Sequence, residues 1–219
     1  MSEGFKVPQS WSFKNKHVAD KFDEHVREQL PWYDLATELV SVLIKSYIPE
    51  NGILYDFGCS TGNITKKCQE FLKERDVVCS SFDNSEEMAE KFEGYGDFFI
   101  SDISDCDFFE FDVAVLFLSL MFTRVKDRDR IISSLKHRCL KGGCVIIMDK
   151  INPPKGYLGK TFSRLTFQNK ILQGCPMDDV MKKEMSLIGV QRPCDESLFK
   201  DFKKWFQVGE FVGYIYEKK

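Results

Sequence analysis

Five apolar runs of strand length recur between segments of helical character: Ile53 to Asp56, Val77 to Phe82, Phe98 to Ile100, Phe111 to Phe117 and Cys144 to Met148. A near-continuous apolar run marks a strand that meets water on neither face, as in a parallel sheet covered by helices on both sides. The spacers carry the other period: within Asp127 to Cys139, the residues Ile131, Ile132, Leu135 and Cys139 share one helical face. Strand alternating with helix predicts an α/β, doubly wound, Rossmann-like sheet. Trp205 to Tyr216, two short aromatic strands around Gly209, adds a C-terminal antiparallel hairpin and brings the count to about seven strands. Asn51-Gly52 precedes the first strand, and Lys141-Gly142-Gly143 is expected to separate a helix ending near Leu140 from the fifth.

Ahead of the sheet, Phe5 to Tyr47 is mostly helix-compatible and breaks at Pro31-Trp32-Tyr33, an N-terminal helical cap. After the fifth strand, Asn152-Pro153-Pro154-Lys155-Gly156 reads as a turn. A helical insertion follows, Lys160 to Leu172 and Asp178 to Leu187. The chain is expected to be one domain over 1–219: cap 1–50, core 51–150, insertion 151–190, closing helix and hairpin 191–219.

Of the 219 residues 43% are hydrophobic, ample material for a core. The net charge of -3 argues against nucleic-acid binding driven by bulk charge. That figure conceals an asymmetry. Residues 1–149 hold 18 basic and 26 acidic side chains, residues 150–219 hold 13 and 8, so a local basic face remains open to a nucleic acid. Lys155, Lys160, Arg164 and Lys170 in the insertion are its candidates, although a solvated helix face is the commoner meaning of such residues. None of the eight cysteines forms a C-x-x-C pair, which disfavours a zinc or dithiol site, and no metal is expected. The start, Met-Ser-Glu-Gly-Phe-Lys, shows no signal peptide, and no apolar stretch reaches the roughly 20 residues that span a bilayer. A reducing cytoplasm, with no membrane partner, is the expected setting.

Chemistry concentrates in Ile53-Leu54-Tyr55-Asp56-Phe57-Gly58-Cys59-Ser60-Thr61-Gly62-Asn63, where an apolar strand runs into Asp56, then into small residues, then into a helix. Gly58 lets backbone approach a ligand, Gly62 lets the helix start pack on the strand and counts with Asp56 and Gly58 among the candidate cofactor-binding residues, and the helix N-terminus offers free N–H groups. The dinucleotide fingerprint G-x-G-x-x-G is absent, because Ser60 stands at the second glycine, so a ligand without a pyrophosphate suits the loop better. Asp83, 21 residues beyond Gly62, closes the second strand where an acid can hold two ribose hydroxyls. Asp102 with Ile103, after the third, offers an acceptor and a backbone donor for an adenine edge. Asn84 or Ser85 also serves as a plain helix cap. Cys144 reads as an inert buried thiol, and His17, His25 and His137 sit in charged helical surroundings without a general-base arrangement.

These three strand ends resemble the motifs of class I S-adenosylmethionine-dependent methyltransferases. Within them the chain is most similar to the carboxy-S-adenosylmethionine synthase family, once described as tRNA uridine-5-oxyacetate methyltransferases. The likeness runs from Phe22-Asp23-Glu24-His25-Val26 to the last strand, with its strongest pieces at Tyr55 to Ser60, Asp83-Asn84-Ser85, Asp102-Ile103, Lys182-Lys183-Glu184-Met185 and Trp205-Phe206-Gln207. The resemblance implies that Gly58, Cys59 and Ser60 contact the methionine part of S-adenosylmethionine or its carboxylated form, Asp83 and Asn84 the ribose side, and Asp102 and Ile103 the adenine, with Tyr33 closing over the site. It further implies prephenate as carboxyl donor and a homodimer through the insertion, with Phe162, Leu165, Phe167 and Leu172 in contact.

Two positions depart from the family pattern: Phe117 stands where it has an asparagine, and Lys183 where it has an arginine that grips the added carboxylate. Phe117 loses an amide and adds an apolar face. Lys183 keeps the charge without the planar fork; its neighbours Lys182 and Glu184 alone give the reading of a solvated helix lysine. The leading expectation is an S-adenosylmethionine-dependent transferase of the carboxy-S-adenosylmethionine synthase type. The alternatives are a true methyltransferase acting on tRNA, other nucleic acid or a small molecule, and a non-catalytic cofactor-binding partner; a nicotinamide oxidoreductase is disfavoured by Ser60.

Overall fold

The computed structural model describes residue 8 and residues 11–219. The expectations for the N-terminal leader and for the start of the cap, Pro8 apart, lie outside the described residues. Three helices precede the sheet: α1 (Lys16–Asp20), α2 (Phe22–Gln29) and α3 (Tyr33–Tyr47), with the expected break at Pro31. The core then alternates β1 (Ile53–Phe57), α4 (Asn63–Glu74), β2 (Val78–Asp83), the single turn α5 (Glu86–Ala89), β3 (Asp97–Ile100), β4 (Phe111–Phe117), α6 (Arg128–Arg138) and β5 (Cys139–Lys150). The insertion is α7 (Tyr157–Leu172) and α8 (Met177–Ser186), and the hairpin is β6 (Lys203–Val208) and β7 (Phe211–Glu217).

The seven strands run in the order β3-β2-β1-β4-β5-β7-β6. Strands β1 to β5 pair in parallel, while β7 enters antiparallel between β5 and β6. Alternation along β4 divides the core. Val113, Val115 and Phe117 face Ala36, Val40 and Ile44 of α3 and Ile64, Cys68 and Leu72 of α4. Ala114 and Leu116 face Ile131 and Leu135 of α6, with Phe199 and Tyr214 beside them. The chain order reverses direction across the sheet between β1 and β4, so their carboxyl ends open a crevice, the usual ligand position in such sheets.

One boundary differs from the sequence expectation. Lys141-Gly142-Gly143 lies inside β5, which begins at Cys139 directly after α6. The pairing with β4 shifts register between Phe111 and Val113 at this point. A Cβ on Gly143 would lie 2.2 Å from Asp112 O, so only glycine lets the two strands touch here. Gly142 N–H donates to Lys218 O at 2.8 Å, which keeps the segment in the sheet. The glycines thus permit a bulge instead of ending a connection.

No helix among the described residues is long and apolar enough to cross a membrane. Leu54→Ala, at a fully buried position on β1, is expected to cost about 2–5 kcal/mol of unfolding free energy. Leu35→Ala, at a 58% exposed position on α3, is expected to stay within about 0.5 kcal/mol. Urea titrations of the two variants check both values.

Candidate functional site

Where β1 ends, the backbone turns sharply. Gly58 (φ +73°), Ser60 (φ +50°) and Gly62 (φ +85°) all take left-handed conformations. The loop hangs from the end of β2, because Gly58 N–H and Cys59 N–H both donate to Phe82 O, at 2.7 and 3.1 Å. A Cβ on Gly58 would lie 2.4 Å from Ser119 Cβ, so glycine is what allows this loop to meet the segment after β4.

Two clefts share that loop. The first, of about 550 Å³, is lined by Asp83, Asn84, Asp102, Ile103 and Ser119 together with Gly58 and Ser60. Its acids are tied into one frame. Asp83 accepts from Ser60 N–H at 2.9 Å and from Ser85 N–H at 3.1 Å, and Asn84 donates to Asp102 at 3.0 Å. Burial raises the Asp83 carboxyl against the pull of those N–H groups. At Asp102 burial also acts upward, but the hydrogen bonds from Ser104 and Asn84 prevail and hold it below the usual range. Ser85 caps α5, as expected, its Oγ accepting from Met88 N–H.

The second cleft, of about 990 Å³, takes Gly58 and Ser60 from the other side and adds Tyr33, Asp56, Cys59, Phe117 and Lys183. Asp56 is 1% exposed, and its Oδ2 has no hydrogen-bond partner among the described residues. Burial, with Asp83 nearby, raises its carboxyl to about 7. The Tyr33 ring meets Phe117 edge-on at 5.5 Å. Burial pushes the Cys59 thiol well above its ordinary value, which leaves it no nucleophile. The cap is fastened over the loop by Asp23, which accepts from Thr61 Oγ1 at 2.9 Å and from Asn63 Nδ2 at 2.5 Å.

Four sequence expectations are corrected. Gly62 lines neither cleft: it is the N-cap of α4, and its missing side chain accommodates Gly94 N, which a Cβ would approach to 2.6 Å. Lys183 is not a solvated lysine. It is 8% exposed, points into the second cleft and rests its Nζ against the Trp11 ring. Lys170 leaves the basic surface, since it is buried and pairs with Glu184 at 2.8 Å. His25 is buried beside Trp11, ring centroids 5.4 Å apart. Burial, then the ammonium groups of Lys183 and Lys170, hold its imidazole down at about 3.

Burial, with Lys170 adding to it, also depresses the Lys183 ammonium to about 5. Lys150 pairs with Glu210 at 3.5 Å, whereas Lys183 has no carboxylate within salt-bridge distance among the described residues. Trp11, Phe13, Lys150 and Gln191 complete the wall, and nothing in the linear sequence brings them together. Residues 11–13 strap the two clefts: Trp11 N–H donates to Ser186 O at 3.1 Å, and Ser85 Oγ donates to Phe13 O at 2.8 Å. No metal-ligand cluster is found among the described residues.

The chain is 31% identical over 232 residues to the carboxy-S-adenosyl-L-methionine synthase of Campylobacter lari, covering 97% of this chain and 98% of that protein. It is 28% identical over 222 residues to the synthase of Staphylococcus epidermidis, covering 95% and 97%. No family sequence model matches. Among solved structures, an O-methyltransferase family protein from Burkholderia thailandensis superposes with a TM-score of 0.62 at 15% identity over 94% of this chain. Human N-acetylserotonin methyltransferase, solved with S-adenosylmethionine, gives 0.58 at 15% identity over 94%. The chain spans 60% and 57% of the length of those two structures. At such identities these two share the fold.

Gly58→Ala is expected to weaken S-adenosylhomocysteine binding at least tenfold, about 1.4 kcal/mol, measured by calorimetry. A second expectation concerns pH. An unfolded aspartate titrates near 4, whereas Asp56 in the fold titrates at about 7, so its contribution to stability is full below about 4 and is lost as pH rises through about 7. The melting temperature of the ligand-free protein should therefore fall from pH 5 to pH 8, and Asp56→Asn should flatten that slope.

Proposed function

The chain belongs to the carboxy-S-adenosyl-L-methionine synthase family, and from that premise we propose that it carboxylates the methyl group of S-adenosylmethionine, with prephenate as the carboxyl donor. As a member of that family it is an S-adenosylmethionine-dependent transferase. The residues suit such a cofactor. Asp83, Asn84, Asp102 and Ile103 surround an adenosine-sized space. Asp56 lines the adjoining cleft, and its Oδ2, without a partner among the described residues, is an acceptor for an α-ammonium group. Gly58, Ser60 and Leu118 line both clefts, so one ligand can extend from the first into the second.

One observation carries the carboxylation reading: Lys183 is a buried amine with no carboxylate within salt-bridge distance among the described residues, in the cleft that holds Asp56 and Gly58. An anionic group in this cleft supplies the missing counter-charge and raises the amine back toward protonation. The sulfonium of a bound cofactor supplies an activated methyl carbon. Tyr33 and Phe117 form an apolar wall that excludes water from it. Lys183 then holds a carboxylate by a point charge, where a family arginine would grip with two parallel bonds. Phe117, apolar where the family carries an amide, favours a second reading: transfer of the methyl group itself to an anionic acceptor.

We further read the chain as a homodimer. Helix α8 turns Val180, Lys183 and Ser186 inward and leaves Met177, Met181 and Met185 exposed, continuous in sequence with exposed Leu172 and Ile188. Such an apolar stripe fits a second copy. Eight free thiols fit a reducing compartment.

Purified protein incubated with S-adenosylmethionine and prephenate should yield a cofactor heavier by one carbon dioxide in mass spectrometry. Release of S-adenosylhomocysteine in its place supports methyl transfer. Lys183→Met should lower kcat/KM for the donor about tenfold or more, and Lys183→Arg should retain activity.

A further inference from the structure

Arg128 begins α6, yet its side chain is 2% exposed and lines neither cleft. Its donors go almost wholly to backbone carbonyls of two separate segments. Nε donates to Thr123 O at 3.2 Å, and Nη2 to Thr123 O at 3.0 Å and Met121 O at 3.2 Å. Nη2 also reaches Arg192 O at 2.8 Å, while Nη1 reaches Pro193 O at 3.2 Å and Cys194 Sγ at 3.6 Å. The same loop is also held by the buried Asp149, which accepts from Leu120 N–H at 2.7 Å and Met121 N–H at 3.2 Å.

The two segments are walls of the site. Residues 118–123 include Leu118 and Phe122, which line both clefts, and Ser119, which meets Gly58. Leu118 has φ +57°, a left-handed conformation that a branched side chain resists, so this loop does not hold its shape unaided. Residues 187–194 follow α8, and Leu187 and Gln191 line the second cleft on the side of Lys183. Met121 O accepts from Arg192 N–H as well, at 2.8 Å, so the guanidinium sits at the junction where the segments touch. A lysine keeps the charge but presents its donors from one point, and cannot span five groups on two segments.

We propose that Arg128 is a positioning residue that couples the wall of the cofactor cleft at 118–123 to the Lys183 wall at 187–194, with Asp149 holding the 118–123 loop in place. Only the kinetic part of this inference rests on the carboxylation reading; the coupling itself is tested without it.

The test is amide hydrogen exchange on the full chain, with and without S-adenosylhomocysteine, followed by kinetics of Arg128→Lys below its melting temperature. In the wild type, S-adenosylhomocysteine should slow exchange in 118–123 and also in 187–194. In Arg128→Lys the slowing should persist in 118–123 and disappear from 187–194. The dissociation constant of S-adenosylhomocysteine should change less than about threefold, while KM for the second substrate rises about tenfold or more. Two outcomes overturn the proposal: a wild type in which S-adenosylhomocysteine leaves 187–194 unchanged, which needs no variant to fold, or a variant in which the slowing of 187–194 survives. A lowered melting temperature with unchanged KM also overturns it, since that marks a merely structural arginine. If the wild type binds no S-adenosylhomocysteine, the cofactor reading fails instead. The positioning claim then stands or falls on whether Arg128→Lys speeds exchange in both segments of the free protein or in 118–123 alone.

Discussion

The site depends on one close approach: the backbone of Gly58 against Ser119, where the chain leaves β1 on one side and β4 on the other. A single added carbon at Gly58 would collide with Ser119 Cβ. This contact sits where the order of parallel strands reverses, so it places the end of β2, with Asp83, on one side and the end of β4, with Phe117, on the other. The two clefts share Gly58, Ser60 and Leu118 and so adjoin as halves of one site. One half presents hydrogen-bonding acids held by backbone N–H groups, and the other presents aromatic walls with a buried amine.

That division matches a ligand that is itself divided. A nucleoside needs acceptors and donors in fixed positions, which Asp83, Asn84 and Asp102 supply as one hydrogen-bonded frame. A reacting carbon beside a sulfonium needs dry, apolar surroundings and, for a carboxyl product, a counter-charge. On the proposed reading Tyr33, Phe117 and Lys183 supply those, and two of the three elements that carry them, the cap helix α3 and the insertion helix α8, lie outside the alternating sheet core. The additions to the fold thus account for most of what distinguishes this chemistry.

The sheet was legible because its signals are local. A buried strand is an apolar run, and a left-handed turn asks for glycine, so Ile53 to Gly62 announces its own structure. Asp83 and Asp102 were legible for a related reason, since parallel topology brings successive strand ends to one edge. Lys183 and His25 were not, because burial of a helix face follows from tertiary packing. Hydropathy alone would bury Met177, Met181 and Met185 of α8 and expose Lys183, and the fold does the reverse. Gly62 misled in the other direction, as its glycine serves helix packing at Gly94 and touches no cleft. The Lys141-Gly142-Gly143 bulge shows the same ambiguity: a glycine pair ends a connection in one context and lets two strands touch in another.

The central claim is that Lys183 is the counter-ion of a carboxylate placed beside the cofactor's reacting carbon. Its most direct test is calorimetric titration with S-adenosylmethionine and with carboxy-S-adenosylmethionine near neutral pH, in buffers of differing ionisation heat. The account predicts tighter binding of the carboxylated form with uptake of a proton from solution, because the anion re-protonates a buried amine that titrates at about 5 in the free protein. Lys183→Met should abolish both the preference and the uptake. Equal affinity for the two forms, with no proton taken up, would contradict it.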